Sequence, residues 1–381
     1  MIPEGREQGQ PERAGLYVHV PFCKNKCPYC DFFSQVAPQK APAYLDAVCR
    51  EAELFAAAAG PFDSLYIGGG TPSSLDPGAL VRLLDVAGRL LAPGPEGEPE
   101  ITIELNPADV GPELLDVLRE AGVTRLSLGV QSFDDGELKE LGRRHDGSRA
   151  RRAIEEIRRA GFAALGLDLI HALPGSDRAS LHRSLEQALA FEPEHLSCYS
   201  LTIAAGTPFF ELRARAELIL PDEDETADQF LETADILGQA GYIHYEVSNF
   251  ARNDGLRSRH NMKYWRRVPC LGLGPAAHSF DGHRRSWNLR DLDGYNRAIE
   301  SGRRPLEGFE DLTSEQARLE TIALGMRTAE GVALGVIFEN PGADENVKRL
   351  LAEGLVVESQ GRLRPTRSGY LKADGIARLL C

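Results

Sequence analysis

The stretch that decides the fold is Cys23-Lys-Asn-Lys-Cys27-Pro-Tyr-Cys30, which closely follows a predicted strand, Leu16-Tyr-Val-His-Val20. A loop this short has no core of its own, so we expect its geometry to come from whatever its three thiols bind. Four thiolates would complete a tetrahedral zinc site or an iron–sulfur cube, whereas three leave one corner of a cube open for a substrate. A structural zinc site and three unrelated thiols are the alternatives.

The spacing C-x3-C-x2-C, with an aromatic residue before the last cysteine, resembles the signature of the radical S-adenosylmethionine (SAM) superfamily. The resemblance implies that Cys23, Cys27 and Cys30 hold three irons of a [4Fe-4S] cluster, and that SAM chelates the fourth iron through its amino and carboxylate groups. It also implies an external one-electron reductant, because one electron from the cluster splits the SAM sulfonium and yields a 5′-deoxyadenosyl radical.

The composition is that of a protein with a large core, since 42% of its 381 residues are hydrophobic and 26% are charged. The net charge of −14 argues against a broad nucleic-acid surface, so no nucleic-acid partner is predicted. The opening segment lacks the apolar stretch of a signal peptide, and no apolar run approaches membrane-spanning length. Four further cysteines are scattered along the chain, which is typical of a reducing cytoplasm. We therefore expect a cytoplasmic protein, with peripheral attachment to a membrane as the alternative.

Helical and strand patterns alternate after the cysteine loop, and with the first strand they give six strands joined by helices. Such alternation predicts an α/β fold with a parallel sheet and right-handed crossovers. Six units suit an incomplete (β/α)6 TIM-like barrel, the usual radical SAM core. The predicted domains are a flexible amino terminus (1–14), the partial barrel (15–240), an extension (241–311) and a carboxyl-terminal module (312–381).

Gly68-Gly-Gly-Thr-Pro72 directly follows the second predicted strand, at the end where barrels place their chemistry. Consecutive glycines let a ligand approach the backbone and leave N–H groups free to bind it. The stretch resembles the family's GGGTP segment, which implies that Gly69, Gly70 and Thr71 contact the methionine part of SAM. A tight turn between strand and helix is the alternative.

Further polar residues lie at or near the ends of predicted strands. Asp168 interrupts an otherwise apolar strand, which is costly unless the carboxylate faces a polar site. The order of these polar residues along the chain resembles that of SAM-binding residues in the oxygen-independent coproporphyrinogen III dehydrogenases (HemN). The resemblance therefore implies that they contact SAM. The set comprises Tyr17, Glu104, Gln131, Arg143 and Asp168.

Motifs from Tyr17 onward resemble the HemN/HemW branch, and two features separate its members. The dehydrogenases carry a further cysteine two residues after the third cluster ligand, where this chain has Phe32, and they have a longer segment before the cluster. The stretch His260-Asn-Met-Lys-Tyr-Trp265 matches the HNxxYW motif of the HemW-type haem chaperones. The chain departs from the branch at His171, which is usually Tyr, and at Pro275-Ala276, which is usually Ala-Gly.

The HNxxYW match implies haem contact. Imidazole is a common axial ligand of haem iron, so His260 is the predicted ligand, while Tyr264 and Trp265 offer flat apolar surface for a porphyrin. His278 and His283 are the rival ligands. A structural loop with a satisfied histidine and two core aromatic residues is the alternative.

The last segment predicts helices around a hairpin at Gln360-Gly361, with a capping box at Thr313-Ser-Glu-Gln316. This order suggests a winged-helix-like module, for which a lid or partner surface fits the acidic chain better than DNA binding.

As a whole, the resemblance implies delivery of haem to an acceptor protein, for example a respiratory protein at the membrane. Decarboxylation of coproporphyrinogen III and another radical SAM transfer reaction are the alternatives. No catalytic residue is predicted, and pairing into a homodimer is left open.

Overall fold

The structure, a computed structural model, describes residues 12–56, 59–340 and 342–381. Residues 1–11 of the predicted flexible terminus, 1–14, lie outside the described residues.

Parallel strands joined by helices form the first half of the fold. The strands are β1 (Gly15–Val20), β2 (Ser64–Gly69), β3 (Glu100–Leu105), β4 (Arg125–Gln131), β5 (Ala164–His171) and β6 (His195–Ser200). The helices between them are α1 (Ala41–Glu51), α2 (Pro77–Gly88), α3 (Pro112–Glu120), α4 (Asp135–Glu140), α5 (Gly147–Arg159) and α6 (Arg178–Ala190). Each strand pairs in parallel with the next along the chain, which confirms the predicted partial (β/α)6 barrel.

Alternate residues of these strands separate an apolar outer face from a polar inner face, because successive side chains of a strand point to opposite sides. Leu16 and Val18 of β1 and Leu65 of β2 are fully buried in the core that the outer helices cover. Burial of each such side chain contributes about 1.5–3 kcal/mol. The residues between them, Tyr17 and Tyr66, stack at 6.2 Å inside the barrel. The barrel interior, called the lumen below, is therefore free for polar chemistry.

The sheet continues on both sides of the parallel strands. The added strands are β7 (Ile243–Glu246), β8 (Asn249–Ala251), β9 (Cys270–Leu273), β10 (His278–Phe280), β11 (Arg284–Asn288) and β12 (Leu306–Asp311). The helices of this region are α7 (Pro208–Ala214), α8 (Glu223–Gln239), α9 (Arg259–Trp265) and α10 (Leu292–Glu300).

Within the described residues the sheet has twelve strands, in the order β12-β11-β10-β9-β1-β2-β3-β4-β5-β6-β8-β7. Strand β9 pairs in parallel with β1, whereas β8 pairs antiparallel with β6. The predicted extension thus shares one sheet with the barrel. Periodicity alone missed this because pairing between distant segments leaves no local sequence signal. The predicted domain boundaries stay predictions.

The carboxyl-terminal segment has its own small core. Its elements are α11 (Ser314–Gly325), β13 (Val332–Ala333), α12 (Leu334–Ile337), α13 (Ala343–Ala352), β14 (Val356–Ser359), β15 (Arg362–Pro365), α14 (Arg367–Leu371) and α15 (Ala373–Leu380). The predicted hairpin is confirmed, with Gln360 and Gly361 both at positive φ in its turn. The capping box is also confirmed, because Thr313 and Gln316 cap each other's backbone N–H groups.

None of the helices in the described ranges is both long and apolar enough to cross a lipid bilayer.

Candidate functional site

The cysteine loop leaves the carboxyl end of β1 and is held by backbone bonds. The N–H of Cys23 donates to the carbonyl of Gln35 (3.2 Å), and that of Cys30 donates to the carbonyl of Cys27 (3.2 Å). The Asn25 amide reaches across to the carbonyl of Gly142 (3.0 Å). All three loop cysteines are free and half-buried, so their thiols are accessible from the mouth of the barrel.

Across the described ranges, no three His, Cys, Asp or Glu side chains are arranged to hold one metal ion. A cubane cluster places each cysteine on a different iron, so its ligands do not have to converge on one point.

A hydroxyl and a cation contact the cysteine sulfurs. The Thr71 hydroxyl lies 3.3 Å from Sγ of Cys23, and Nη1 of Arg143 lies 3.6 Å from Sγ of Cys27. Nη2 of Arg143 donates to the carbonyl of Gly129 (2.7 Å), which fixes the guanidinium at the end of β4. Burial raises the pKa of the Cys30 thiol, so without a metal this thiol is protonated at neutral pH. A cation and a hydroxyl beside the sulfurs suit thiolates that deprotonate when they bind iron.

The glycine loop after β2 packs tightly against the cysteine loop. A Cβ on Gly70 would come within 2.6 Å of the carbonyl oxygen of Phe22, and one on Gly69, at φ +103°, within 2.5 Å of the His19 ring. The N–H of Gly69 donates to Glu104 (3.2 Å), and those of Gly70 and Thr71 donate to the carbonyls of Val20 (2.8 Å) and Phe22 (2.7 Å).

The expectation that these N–H groups are free for a ligand is therefore wrong, because close packing of the two loops uses them. Contacts from the glycine loop to an ammonium group would have to come from carbonyl oxygens. The predicted SAM contacts of Gly69, Gly70 and Thr71 stay predictions.

Two carboxylates face the lumen without an ion-pair partner among the described residues, although Arg143 is close enough to lower the pKa of Asp168 in part. Glu104 accepts hydrogen bonds from the Tyr66 hydroxyl (2.8 Å) and the N–H of Gly69. Asp168 accepts from the Ser127 hydroxyl, at 3.0 Å to each carboxylate oxygen. Among the described residues, no Lys or Arg forms an ion pair with either acid. Desolvation accordingly raises the pKa of Glu104 to about 7 and that of Asp168 to about 6. Buried acids that form no ion pair fit a cationic ligand such as SAM.

Gln131 and Tyr17 complete the predicted set around the lumen. Gln131 ends β4 at a bulge with φ +68°, and its side chain accepts a hydrogen bond from the Tyr199 hydroxyl (3.1 Å). Backbone strain of this kind persists where the surrounding structure fixes it, often at ligand sites. The Tyr17 hydroxyl lies 3.1 Å from Nδ1 of His19.

The HNxxYW residues lie at the opposite end of the barrel. The N–H of His260 bonds Glu100 (3.0 Å), and its Nδ1 lies 3.0 Å from the Ser64 hydroxyl, so helix α9 covers the amino ends of β2 and β3. Nε2 of His260 lies 2.9 Å from the Tyr264 hydroxyl, and the ring is fully buried. With both ring nitrogens occupied, this histidine cannot meet a haem iron without rearrangement. The arrangement favours the structural alternative, and the role of His260 as haem ligand stays a prediction.

The two aromatic residues of the motif differ in environment. The Tyr264 residue is 45% exposed, and burial of its hydroxyl, which lies 2.9 Å from Nε2 of His260, raises the pKa of that hydroxyl. Trp265 packs instead with Tyr245 and Met262 in a small separate core. Tyr264 therefore has surface that is accessible to a ligand, whereas Trp265 supports α9.

Sequence reasoning missed two lumen residues, Tyr66 and His19. The Tyr66 hydroxyl bonds Glu104, and the centroid of the Tyr66 ring lies 5.4 Å from the centroid of the His260 ring. His19 bridges Tyr17 to the carbonyl of Phe33 (2.7 Å), just beyond the cysteine loop. The alternation of β1 and β2 could have identified both, because each is flanked by residues that face the outer core.

Comparison with known proteins identifies the family of the chain. Residues 17–188 match the model of the radical SAM superfamily, and residues 312–371 match the HemN C-terminal domain. A "Heme chaperone HemW" from Bacillus subtilis is 34% identical over 369 residues, which are 94% of this chain and 97% of that protein. Another from Mycobacterium tuberculosis is 36% identical over 378 residues, 98% of this chain and 95% of its own length.

The chain belongs to the HemW haem chaperone family. This family is the one that the HNxxYW motif and Phe32 favour over the HemN dehydrogenases.

Coproporphyrinogen III oxidase (HemN) from Escherichia coli has the same fold, with a TM-score of 0.81 over 97% of this chain and 91% of that protein. Its sequence is only 24% identical, so this likeness concerns the fold and not the reaction.

Proposed function

We propose that this chain binds a [4Fe-4S] cluster and SAM at the mouth of the barrel and delivers haem to an acceptor protein. The observation that carries the proposal is the near full-length similarity to HemW chaperones, combined with the three thiols of one loop and two lumen carboxylates that form no ion pair among the described residues.

The cluster and SAM would be held by residues from different strand ends. Cys23, Cys27 and Cys30 would bind three irons, and Arg143 would offset part of the negative charge beside Cys27. When bound, the cluster supplies one electron, received from an external reductant, for cleavage of the SAM sulfonium. Glu104 would accept hydrogen bonds from SAM while Tyr66 fixes its orientation.

Asp168, Gln131 and Tyr17 would line the same pocket. Held by Ser127, Asp168 can attract the cationic ligand, and the Tyr17–Tyr66 pair forms an aromatic wall of the lumen. Gly69, Gly70 and Thr71 would approach the methionine part through carbonyl oxygens.

The haem-delivery part concerns partners that the structure does not contain. The acceptor would be a haem protein, for example a respiratory one at the membrane, and pairing into a homodimer is compatible with the proposal. We also propose that reductive SAM cleavage gates the release of haem, which would explain why a chaperone keeps a cluster loop.

An anaerobic transfer assay tests this proposal. The reconstituted protein is titrated with hemin, mixed with an apo haem protein with or without SAM and reductant, and separately assayed for decarboxylation of coproporphyrinogen III. Saturable hemin binding and transfer without decarboxylation is the expected result. Decarboxylation without specific hemin binding would make the chain an enzyme of porphyrin synthesis.

A triple variant, with Cys23, Cys27 and Cys30 changed to Ala, tests the gating step. It should bind hemin but lose the dependence of transfer on SAM and reductant. Transfer that proceeds equally well in wild type and triple variant would refute gating, although not the chaperone function.

A further inference from the structure

A groove on the surface of the protein reaches one of the predicted cluster ligands. It has a volume of about 870 Å³, and its wall is built from the cysteine loop with Cys23, from the start of α1 and from the start of α2. Among the described residues that line it, none belongs to the set predicted to contact SAM. This groove, called the outer groove below, therefore approaches the cysteine loop from outside the lumen.

The wall of the outer groove is mostly apolar, and part of it is exposed. Phe22 and Leu75 lie in the wall. Val36, which also lines the groove, is 57% exposed, and Phe32, four residues earlier in the same segment, is 62% exposed. Among the large apolar side chains that the structure describes, only Ile219 is more exposed than Phe32. An exposed apolar patch of this kind beside a groove marks an interaction site.

Two exposed cations hold the segment that carries Phe32. Nζ of Lys26 donates to the carbonyls of Phe32 (3.3 Å) and Ser34 (3.5 Å). Nη2 of Arg290 donates to the carbonyl of Asp31 (3.0 Å), the residue that directly follows Cys30. Neither cation forms an ion pair within the described part of the chain. Because their partners are uncharged carbonyls, both positive charges are available to an acidic partner.

The charge of this region is opposite to that of the whole chain. The stretch from Leu16 to Leu45 has three lysines against one aspartate, a net charge of +2, whereas the chain as a whole carries −14. Opposite charge on two surfaces accelerates their encounter, and like charge suppresses it. An acidic protein is therefore repelled by most of this molecule and attracted to the region of the outer groove.

We propose that the outer groove, with Phe32 and Val36 beside it, docks a small acidic protein that donates one electron to the cluster. The inference rests on the proposed function, which needs an external reductant, and it names the surface and the chemistry of that partner. One electron leaves the reduced donor and enters the oxidised cluster, and no proton or group is transferred. Electron transfer slows steeply with distance, so a donor has to dock where a cluster ligand comes close to the surface, as Cys23 does here.

The binding of flavodoxin, a small acidic flavin protein, to the reconstituted full-length chain tests this surface by calorimetry. Val36→Asp should weaken binding about tenfold or more at any salt concentration, because it places an unpaired carboxylate in the interface. Arg290→Glu should weaken it by a similar factor at low salt only, because salt screens a charge at the edge of an interface. The matched controls are Val357→Asp on β14 and Arg183→Glu on α6, both exposed, and they should bind as wild type.

Stopped-flow reduction of the cluster, driven by flavodoxin or by dithionite, separates docking from damage to the cysteine loop. Both variants should slow the reaction with flavodoxin and leave the reaction with dithionite unchanged, because a small inorganic reductant needs no docking surface. Equal slowing with both reductants would place the defect in the cluster itself and would overturn the docking assignment.

The remaining outcomes distinguish this inference from the proposed function. Wild-type affinity for flavodoxin in both variants would overturn the assignment of the surface, while haem delivery stands. Equally tight binding of cytochrome c, a basic one-electron protein, would overturn the acidic character of the partner. A wild-type chain that assembles no cluster after anaerobic reconstitution would overturn the inference together with the cluster part of the proposed function.

Discussion

Replacement of Glu104 by Gln should raise the stability of the metal-free protein and weaken SAM binding. Glu104 is enclosed in the lumen, has no cationic partner in the described residues, and has a pKa of about 7 against an ordinary 4.5. A raised pKa means that the folded protein binds the proton more tightly than the unfolded chain does. The contribution of Glu104 to stability is therefore present in full below pH 4.5 and is lost as the pH rises through 7.

The size of the effect follows from the two pKa values. The change from 4.5 to about 7 corresponds to about 3 kcal/mol at most above pH 8. Part of the side chain is accessible from the open lumen, so solvent screening reduces this figure, and we expect about 1–2 kcal/mol. Gln can still accept one hydrogen bond from Tyr66 or Gly69, so most of the gain should remain.

The assay is urea unfolding of metal-free wild type and Glu104→Gln at pH 5 and pH 8.5. The variant should be more stable at pH 8.5, and its advantage at pH 5 should be only about a quarter as large, because ionisation of the unfolded carboxyl has already begun there. Glu186→Gln, an exposed position on α6, is the matched control and should show no pH-dependent gain. In the cluster-loaded protein, calorimetry should give weaker SAM binding for Glu104→Gln, because its amide lacks the negative charge that attracts the cation.

A gain that is equal at both pH values would refute the reasoning, because it would then come from packing and not from ionisation. Unchanged SAM affinity would show that Glu104 does not face the bound ligand.

Three further predictions concern the cluster loop and its neighbours. Gly70→Ala should cost about 1–3 kcal/mol and lower iron content, because its Cβ would clash with a carbonyl of the cysteine loop; Gly88→Ala, with nothing within 4 Å of the added Cβ, should be neutral or slightly stabilising in the same unfolding assay. Cys30→Ala should remove most iron and sulfide after anaerobic reconstitution, whereas Cys381→Ala, at the exposed end of the chain, should load as wild type; equal loading would exclude Cys30 as a ligand. Arg143→Met should lower the midpoint potential in a redox titration, because a nearby cation stabilises the reduced, more negative cluster; an unchanged potential would contradict a contact with the cluster.

Local sequence signals sufficed where a short segment carries its own chemistry. The three cysteines stand within eight residues, so their proximity is set by the chain itself. The sequence also predicted that Asp168 faces a polar site, because a charge in an apolar strand needs a polar partner. The Ser127 hydroxyl supplies that partner.

Predictions from local sequence were wrong or incomplete where the partner of a residue is distant along the chain. The glycine loop was expected to offer free N–H groups. The acceptors that these groups bind lie 35 or more residues away along the chain, so the sequence of the loop itself does not reveal them. The HNxxYW motif indicated the family correctly, yet the residues of the motif do not reveal which end of the barrel helix α9 covers. Ser64, which meets the ring of His260, is 196 residues distant in sequence.

By itself, then, the sequence determined the cysteine loop, the alternation of strands and helices, the family and the terminal hairpin. Each depends on spacing and periodicity within a few residues, which local backbone geometry translates directly into structure. Only the tertiary structure decided that Tyr66 joins Glu104 to His260, that β9 extends the sheet beside β1, and that His278 is exposed while His260 is buried. These arrangements depend on strand register and helix packing between distant parts of the chain. Burial of the apolar outer face determines them, and no short segment of the sequence contains a signal for them.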